Sequence, residues 1–154
     1  MKKVINSKEE SIFLDSLKDI VKSARKHAYS SICFAQVQSN WLLGKRIVEQ
    51  IQKGNDKAEY GKHILKIASE SLTEEFGKGY DESNLRYMRL FYKTFPICDA
   101  LRHELSWTHY ERLMRIKNKE IRDWYMKEAA EQMWNYRTLN RNINTQYYVC
   151  ENVR

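Results

Sequence analysis

The scarcity of helix-breaking residues is the feature that most constrains this fold. The chain of 154 residues has one proline, Pro96, and five glycines, so long segments run without a residue that stops a helix. Most apolar residues in those segments recur every three or four positions, which is the period of an α-helix, instead of alternating. We therefore predict an all-α fold, a multi-helix bundle with no sheet of consequence.

Long N-terminal helices are predicted over residues 8–53. A first apolar stripe has six members at helical spacing: Phe13, Leu17, Ile20, Val21, Ala24 and Ala28. A second set follows, in a helix that is either separate from the first or continuous with it: Phe34, Val37, Trp41, Leu42, Val48 and Ile51. Gly54 and Asn55 then supply a helix C-terminus and a turn.

Residues 61–96 are predicted to form a helix-turn-helix-like unit. Its first helix begins at Tyr60-Gly61 and ends at Gly77, its second is capped by Asp81, and Pro96 ends it. An advance of about 100° per residue places one set of the second helix inside: Leu85, Met88, Phe91, Tyr92 and Phe95. Ser83, Arg86, Lys93 and Thr94 then face outward.

Two features of this unit differ from a simple helix-turn-helix motif. The corner GKGY with the cap that follows it, from Gly77 to Asp81, is longer than the three or four residues typical of the turn. Leu90 also falls on the outward face, where an apolar side chain favours contact with protein over contact with DNA. A basic amphipathic helix within a bundle is therefore an alternative interpretation.

C-terminal helices are predicted over residues 106–144. Their caps are expected at Ser106 or Thr108, at Asn118 and at Asn135. Residues 148–154 have no amphipathic pattern and are predicted to be a frayed tail. Since no linker or repeat divides the chain, residues 1–147 are predicted to form one domain.

The charge of the chain favours polyanionic partners. Lysine plus arginine number 27 against 20 aspartate plus glutamate, a formal net charge of +7, which suits contact with nucleic acid. The three cysteines are widely spaced and form no CxxC pair, and no segment approaches the ~18 apolar residues of a membrane span. We expect a cytoplasmic protein that has no membrane partner.

No catalytic residue, metal site or cofactor is predicted. His103-Glu104 is followed by Trp107, where a zinc-protease HExxH motif needs its second histidine, and Glu82 stands where a dinucleotide-binding motif beginning at Gly77 needs glycine. The spacing of Cys98, His103 and His109 matches no standard metal site. The chain itself is therefore not expected to be an enzyme.

Nine residues are predicted to contact nucleic acid. Seven cations are candidates for phosphate contacts: Lys78, Arg86, Arg89, Lys93, Arg112, Arg115 and Arg137. Ser83 and Asn84, on the first turn of the proposed recognition helix, are candidates for base contacts, and Asn84 has an inward capping role as its alternative. Aromatic residues are interleaved with the downstream cations, but at helical spacing we interpret them as core anchors and not as base-stacking groups.

Four short blocks of the sequence occur in a recognisable order: YG, FG-x-G-[YF], NL-x-x-MR-x-FY and LSW-x-HY, beginning at Tyr60, Phe76, Asn84 and Leu105. In order and separation they resemble the N-terminal domain of YhcG-type proteins. Upstream, NWLLGKRIVEQ is similar to the family's aromatic-x-x-Gly-x-x-Ile segment, so the resemblance covers most of residues 14–147. A looser similarity links LSWTHYERLM through NYRTLNR to the helix-turn-helix segment of ParB-type partition proteins.

The resemblance implies an all-α, helix-turn-helix-like accessory domain. In that family the domain usually precedes a nuclease-like domain of the PDDEXK superfamily, whose metal-binding carboxylates and lysine would lie beyond residue 154. We predict a non-catalytic domain that binds nucleic acid, DNA rather than RNA, for a nuclease-like partner domain. The alternative is a protein-protein interaction or oligomerisation module, in which Leu90 and the aromatic faces pair with a second copy or with the nuclease domain.

Overall fold

The protein is described by a computed structural model over residues 7–152. Within that range it contains seven α-helices, one 3-10 helix and no strand. The α-helices are α1 (Ser7–Gln52), α2 (Lys57–Phe76), α3 (Glu82–Thr94), α4 (Trp107–Leu113), α5 (Lys119–Glu131), α6 (Tyr136–Asn144) and α7 (Tyr147–Asn152). The 3-10 helix is Cys98–Ala100. The predicted all-α bundle is confirmed.

The first helix, α1, is continuous over 46 residues, so the two N-terminal segments form one helix. Its C-terminal part is buried in the bundle through Val37, Asn40, Trp41, Gly44, Ile47 and Val48. Its N-terminal part differs, because residues 7–29 are exposed throughout. The predicted stripe from Phe13 to Ala28 therefore does not enter the core of this chain.

The packing of α1 on α3 depends on Gly44. A Cβ atom placed on Gly44 would lie 2.0 Å from the carbonyl oxygen of Met88 and 2.7 Å from its carbonyl carbon. The two backbones therefore approach more closely than any side chain at this position allows. One turn earlier, the Trp41 indole Nε1 donates a hydrogen bond of 2.7 Å to the carbonyl oxygen of Phe95, the residue that follows α3.

The core of the C-terminal half forms around two aromatic residues. Tyr110 of α4 and Phe91 of α3 are both fully buried, with ring centroids 5.0 Å apart. The Tyr110 hydroxyl accepts a hydrogen bond of 2.7 Å from the backbone N–H of Arg102, and burial raises the pKa of Tyr110 to about 12. Fully buried side chains of α4, α5 and α6 complete this cluster: Leu113, Ala129 and Leu139.

Two of the predicted side-chain caps form at the starts of α5 and α6. Asn118 accepts the N–H of Ile121, and Asn135 accepts the N–H of Thr138. Asp81 occupies the predicted N-cap position of α3, but its side chain makes no capping hydrogen bond. Because Asp81 is exposed, water can satisfy the N–H groups that it leaves open.

The C-terminal segment is more ordered than the predicted frayed tail over 148–154. Tyr147–Asn152 forms α7, and the N–H of Tyr148 donates to the hydroxyl of Tyr125 at 3.0 Å. Tyr148 also packs edge-on against Trp124, with ring centroids 5.2 Å apart. Contacts between aromatic rings hold this helix, so an amphipathic pattern is not required; residues 153–154 lie outside the described range.

Two glycine-to-alanine substitutions should have opposite effects on stability. Gly44→Ala should lower the free energy of unfolding by about 1–3 kcal/mol, because the added methyl group meets the Met88 backbone. Gly61→Ala should raise it by about 0.5–1 kcal/mol, because there the methyl group meets Ile51 at an ordinary 3.6 Å and helix propensity improves. Urea unfolding followed by circular dichroism measures both; a neutral Gly44→Ala would contradict the close approach.

Candidate nucleic-acid interface

The two faces of α3 agree with the predicted ones except at Thr94, which is predicted to face outward and is half-buried. Leu85, Met88 and Phe91 are buried, and Phe95, just after the helix, is buried as well. Tyr92 is half-buried. The outward face carries three exposed polar side chains, Ser83, Arg86 and Lys93. Leu90 lies among them and is 43% exposed.

A groove between α1, α2 and α3 gathers three cations, and we call it the basic groove. It is lined by Val48, Ile51, Gln52, Lys57, Ala58, Arg89 and Lys93. Arg89 and Lys93 lie one turn apart on α3, and Lys57 is the first residue of α2. No acidic residue lines the groove, and none of the three cations forms an ion pair within residues 7–152.

A second groove, the corner groove, lies beside the turn between α2 and α3. It is lined by Gln36, Asn40, Lys78, Gly79, Tyr80, Asn84, Met88, Trp107, Thr108 and Glu111. Two predicted residues, Lys78 and Asn84, therefore lie together here. The corner groove has mixed charge, because Glu111 lines it along with Lys78, and Asn40 at its base is held by Gln36 through a hydrogen bond of 2.9 Å.

The remaining predicted cations lie outside both grooves. Arg86 is exposed and forms an ion pair of 3.3 Å with Glu82, one turn earlier on α3. Arg112 is half-buried and fixed against α6, since its guanidinium donates to Asn140 at 2.7 Å and to Asn144 at 3.0 Å. Arg115 and Arg137 are exposed. The structure thus does not bring all nine predicted residues onto one surface.

The sequence interpretation missed Lys57. Asp56 caps α2 by accepting the N–H groups of Ala58 and Glu59, so α2 begins three residues before the predicted start at Tyr60. The Gly54-Asn55-Asp56 run was a usable signal, because aspartate after a turn is a preferred N-cap. The earlier start brings Lys57 to the edge of the basic groove.

The tryptophans downstream pack on other side chains, as the core interpretation predicts. Trp107 packs edge-on against Phe91 at 5.1 Å, and Trp134 against Tyr147 at 5.7 Å between ring centroids. Trp124 contacts Tyr125 at 5.0 Å. All three tryptophans are half-buried against the core cluster, which leaves little free ring surface for stacking on bases.

His109 is a buried structural residue. Its Nε2 lies 2.8 Å from the carbonyl oxygen of Trp134. Because a carbonyl oxygen only accepts, Nε2 carries the ring hydrogen and donates this hydrogen bond. Its Nδ1 accepts the backbone N–H of Ser106 at 3.1 Å and lies 2.7 Å from the Ser106 hydroxyl. His109 thus stands where a capping box has Glu or Gln. Burial lowers the pKa of His109, an effect that the hydrogen bond to Trp134 partly offsets.

The three residues considered as metal ligands are not arranged as a site. Both ring nitrogens of His109 are hydrogen-bonded within the fold, to Ser106 and to Trp134. His103 stacks on Phe34 with ring centroids 3.8 Å apart. Within residues 7–152, no group of three or more His, Cys, Asp or Glu side chains could hold a metal ion. Over the same residues, every helix is too short or too polar to cross a membrane.

The fold and the grooves define the class of this protein, an all-α bundle with an acid-free basic groove beside α3. The chain belongs to the family described as the DUF1016 N-terminal domain, whose family model matches residues 16–149. It is similar to a protein of Escherichia coli (strain K12) named "Putative nuclease YhcG", with 29% identity over 166 residues. That match covers 87% of this chain and 44% of the relative, so the chain spans less than half of the relative's length. No solved structure matches the chain.

The pH dependence of stability should follow His109. Because its pKa is lower in the folded state than in the unfolded chain, the unfolded state binds the proton more readily. The stabilisation that comes from burying neutral His109 is complete above the ordinary histidine pKa of ~6.5 and is lost as pH falls below that value. The free energy of unfolding should therefore fall between neutral and mildly acidic pH.

The matched variants separate this histidine from the exposed ones. His109→Gln should be less stable at neutral pH, and its free energy of unfolding should fall less between neutral and mildly acidic pH. His63→Gln, on the exposed face of α2, should show the same fall as the wild-type protein. Urea unfolding at a series of pH values measures all three proteins. An unchanged decline in His109→Gln would show that other groups cause it.

Proposed function

We propose that this domain binds duplex DNA through α3 and the basic groove, without catalysing a reaction itself, and serves a nuclease-like domain of a longer protein. The observation that carries the proposal is the basic groove. Lys57, Arg89 and Lys93 reach it from two different helices, and its lining includes no carboxylate. Such a cluster of cations is suited to a phosphate backbone.

The basic groove offers two kinds of phosphate contact. Arg89 is half-buried beside Gly61, with a guanidinium nitrogen 3.9 Å from the position of a Gly61 Cβ. Its planar fork can bind two phosphate oxygens at once. Lys57 and Lys93 are exposed and add two point charges. Together the three cations can follow a phosphate backbone of varying sequence.

The outward face of α3 is proposed to lie in the major groove, as the second helix of a helix-turn-helix unit formed with α2. Ser83 would reach base edges, while Arg86 and Lys93 contact phosphate beside Arg89. The ion pair between Arg86 and Glu82 is exposed on both sides, so it costs little to exchange for a contact with DNA. Leu90 fits the methyl group of thymine, the apolar feature of that groove.

The accessory role rests on the relative. Its name describes a nuclease, and this chain covers 44% of it. We assign the nuclease activity to the rest of such a protein and the DNA contact to the domain described above. The mixed corner groove and Arg112, which is bonded to α6, are left out of the proposed DNA surface.

A second candidate function is protein binding through α3. Leu90 is the observation that favours it, because a leucine that is 43% exposed among polar residues is suited to a partner's apolar pocket. Under this alternative, Leu90→Ala weakens binding to the partner and leaves any affinity for DNA unchanged.

The variant Arg89→Ala with Lys93→Ala should weaken binding to duplex DNA. Loss of two phosphate contacts should reduce the slope of log K against log salt by about 2, with unchanged helicity because both side chains border an open groove. Lys18→Ala with Lys22→Ala removes the same charge from an equally spaced pair on the exposed part of α1 and should leave the slope almost unchanged. Fluorescence anisotropy at several salt concentrations measures both.

Two outcomes would contradict the proposal. Equal losses in the two double variants would mean that net charge alone determines the affinity. Equal affinity for duplex RNA of the same length would remove the assignment to DNA, because the deep, narrow major groove of RNA does not admit a helix.

A further inference from the structure

The part of α1 before Ser30 carries an apolar stripe that is exposed. The large side chains of the predicted stripe remain open to solvent, among them Phe13 at 60% and Ile20 at 64% exposure, together with the neighbouring Leu14. Ala24 and Ala28 continue the stripe and are exposed as well. Contiguous apolar patches on helices mark surfaces that bind another protein.

The stripe faces away from the rest of the fold. Gly44, at the contact with α3, lies 27 residues after Leu17, and at about 100° per residue that interval is seven and a half turns. Leu17 therefore points to the side of α1 opposite the one that packs on α3. The described residues of the bundle leave this side of α1 uncovered.

We propose that the stripe pairs with the same stripe of a second copy, with the two α1 helices antiparallel. Leu17 and Ala24 fall at a positions and Phe13 and Ile20 at d positions of a heptad repeat, and the polar Glu10 and His27 occupy its two ends. In an antiparallel pair with a two-fold axis between residues 18 and 19, Leu17 lies opposite Ile20 of the second copy. Phe13 then lies opposite Ala24, so the largest side chain of the seam meets one of the smallest.

Residues beside this seam are apolar too. Leu14 and Val21 occupy the neighbouring e positions and meet each other across the same antiparallel pair. The apolar surface is thereby widened beyond a narrow a and d seam, and a single surface is complementary to itself. Self-complementarity is what a two-fold contact between identical chains requires.

The distribution of charge favours the antiparallel direction. Glu9 and Glu10 lie in the first turn of α1, whereas Lys26 and His27 lie near the end of the exposed part. In the antiparallel pair, the acidic residues of one helix lie near the basic residues of the other. A parallel pair would place like charges together at both ends and would set Phe13 against Phe13.

The proposed pair covers the part of α1 that the fold leaves open. Residues 10–27 lie within the exposed range 7–29, and the basic groove lies at the other end of α1, at Val48, Ile51 and Gln52. Pairing therefore leaves that groove open in both copies. The inference is independent of the proposed DNA binding, because neither surface shares a residue with the other.

The oligomeric state of the purified 154-residue protein tests the pairing. Sedimentation equilibrium across a concentration series should find a dimer. Leu17→Glu with Ile20→Glu should make it a monomer, with core packing intact because both residues are exposed. Ile12→Glu introduces one glutamate on the same segment, at an exposed apolar residue about 140° from Leu17, and should remain a dimer.

Three results of that experiment would overturn the proposal. They are a monomeric wild-type protein at all concentrations, a dimer that survives the Leu17 and Ile20 substitutions, and a dimer that Ile12→Glu dissociates equally well. If the monomeric protein instead binds phosphatidylglycerol vesicles through the stripe, the surface is a membrane contact and the proposal is wrong.

Spin labels determine the direction of the pair. With Cys33, Cys98 and Cys150 replaced by serine, a label at Ser11→Cys should lie about 24 Å from its copy, from 15 residues of axial offset at 1.5 Å each and a helix spacing of about 9 Å. A label at Asp19→Cys should lie about 10 Å from its copy. Short distances at both positions would establish a parallel pair and overturn the antiparallel one.

Discussion

The contact between Gly44 and the backbone of Met88 determines where the other helices of the bundle lie. With no side chain between them, α1 and α3 approach until the Trp41 indole reaches the carbonyl oxygen of Phe95. Trp41 and Gly44 belong to the same Trp-x-x-Gly pattern on one face of α1. A short run of sequence therefore produces both the backbone contact and the hydrogen bond. A bulkier residue at position 44 would separate α1 from α3. It would thereby remove both the backbone contact and the Trp41 hydrogen bond.

This contact also positions the candidate site. One turn after Gly44, Val48 and then Ile51 and Gln52 form the floor of the basic groove, and α3 supplies Arg89 and Lys93 above them. The groove exists because the end of α1 lies directly beneath the basic flank of α3. Its charge is therefore a consequence of helix packing as much as of composition, since the net charge of +7 alone does not concentrate cations anywhere.

The sequence predicts those features that depend on local patterns. The inner face of α3 follows from the spacing of Leu85, Met88 and Phe91, and the caps at Asn118 and Asn135 follow from residue type. Features that depend on distant contacts were not predicted: α7 is held by rings from α5, and Lys57 joins Arg89 only because α1 ends beside both. The stripe beginning at Phe13 illustrates the limit, because an amphipathic pattern indicates that a face needs a partner without indicating which chain supplies it.

Lysine footprinting tests the central claim, that the basic groove contacts DNA, most directly. The protein is acetylated with and without duplex DNA, and the modification of each lysine is quantified by mass spectrometry. The account predicts that DNA protects Lys57 and Lys93 while Lys18 and Lys22 on the exposed part of α1 stay reactive. Protection that spares Lys57 and Lys93, or that is uniform over all four lysines, would contradict it.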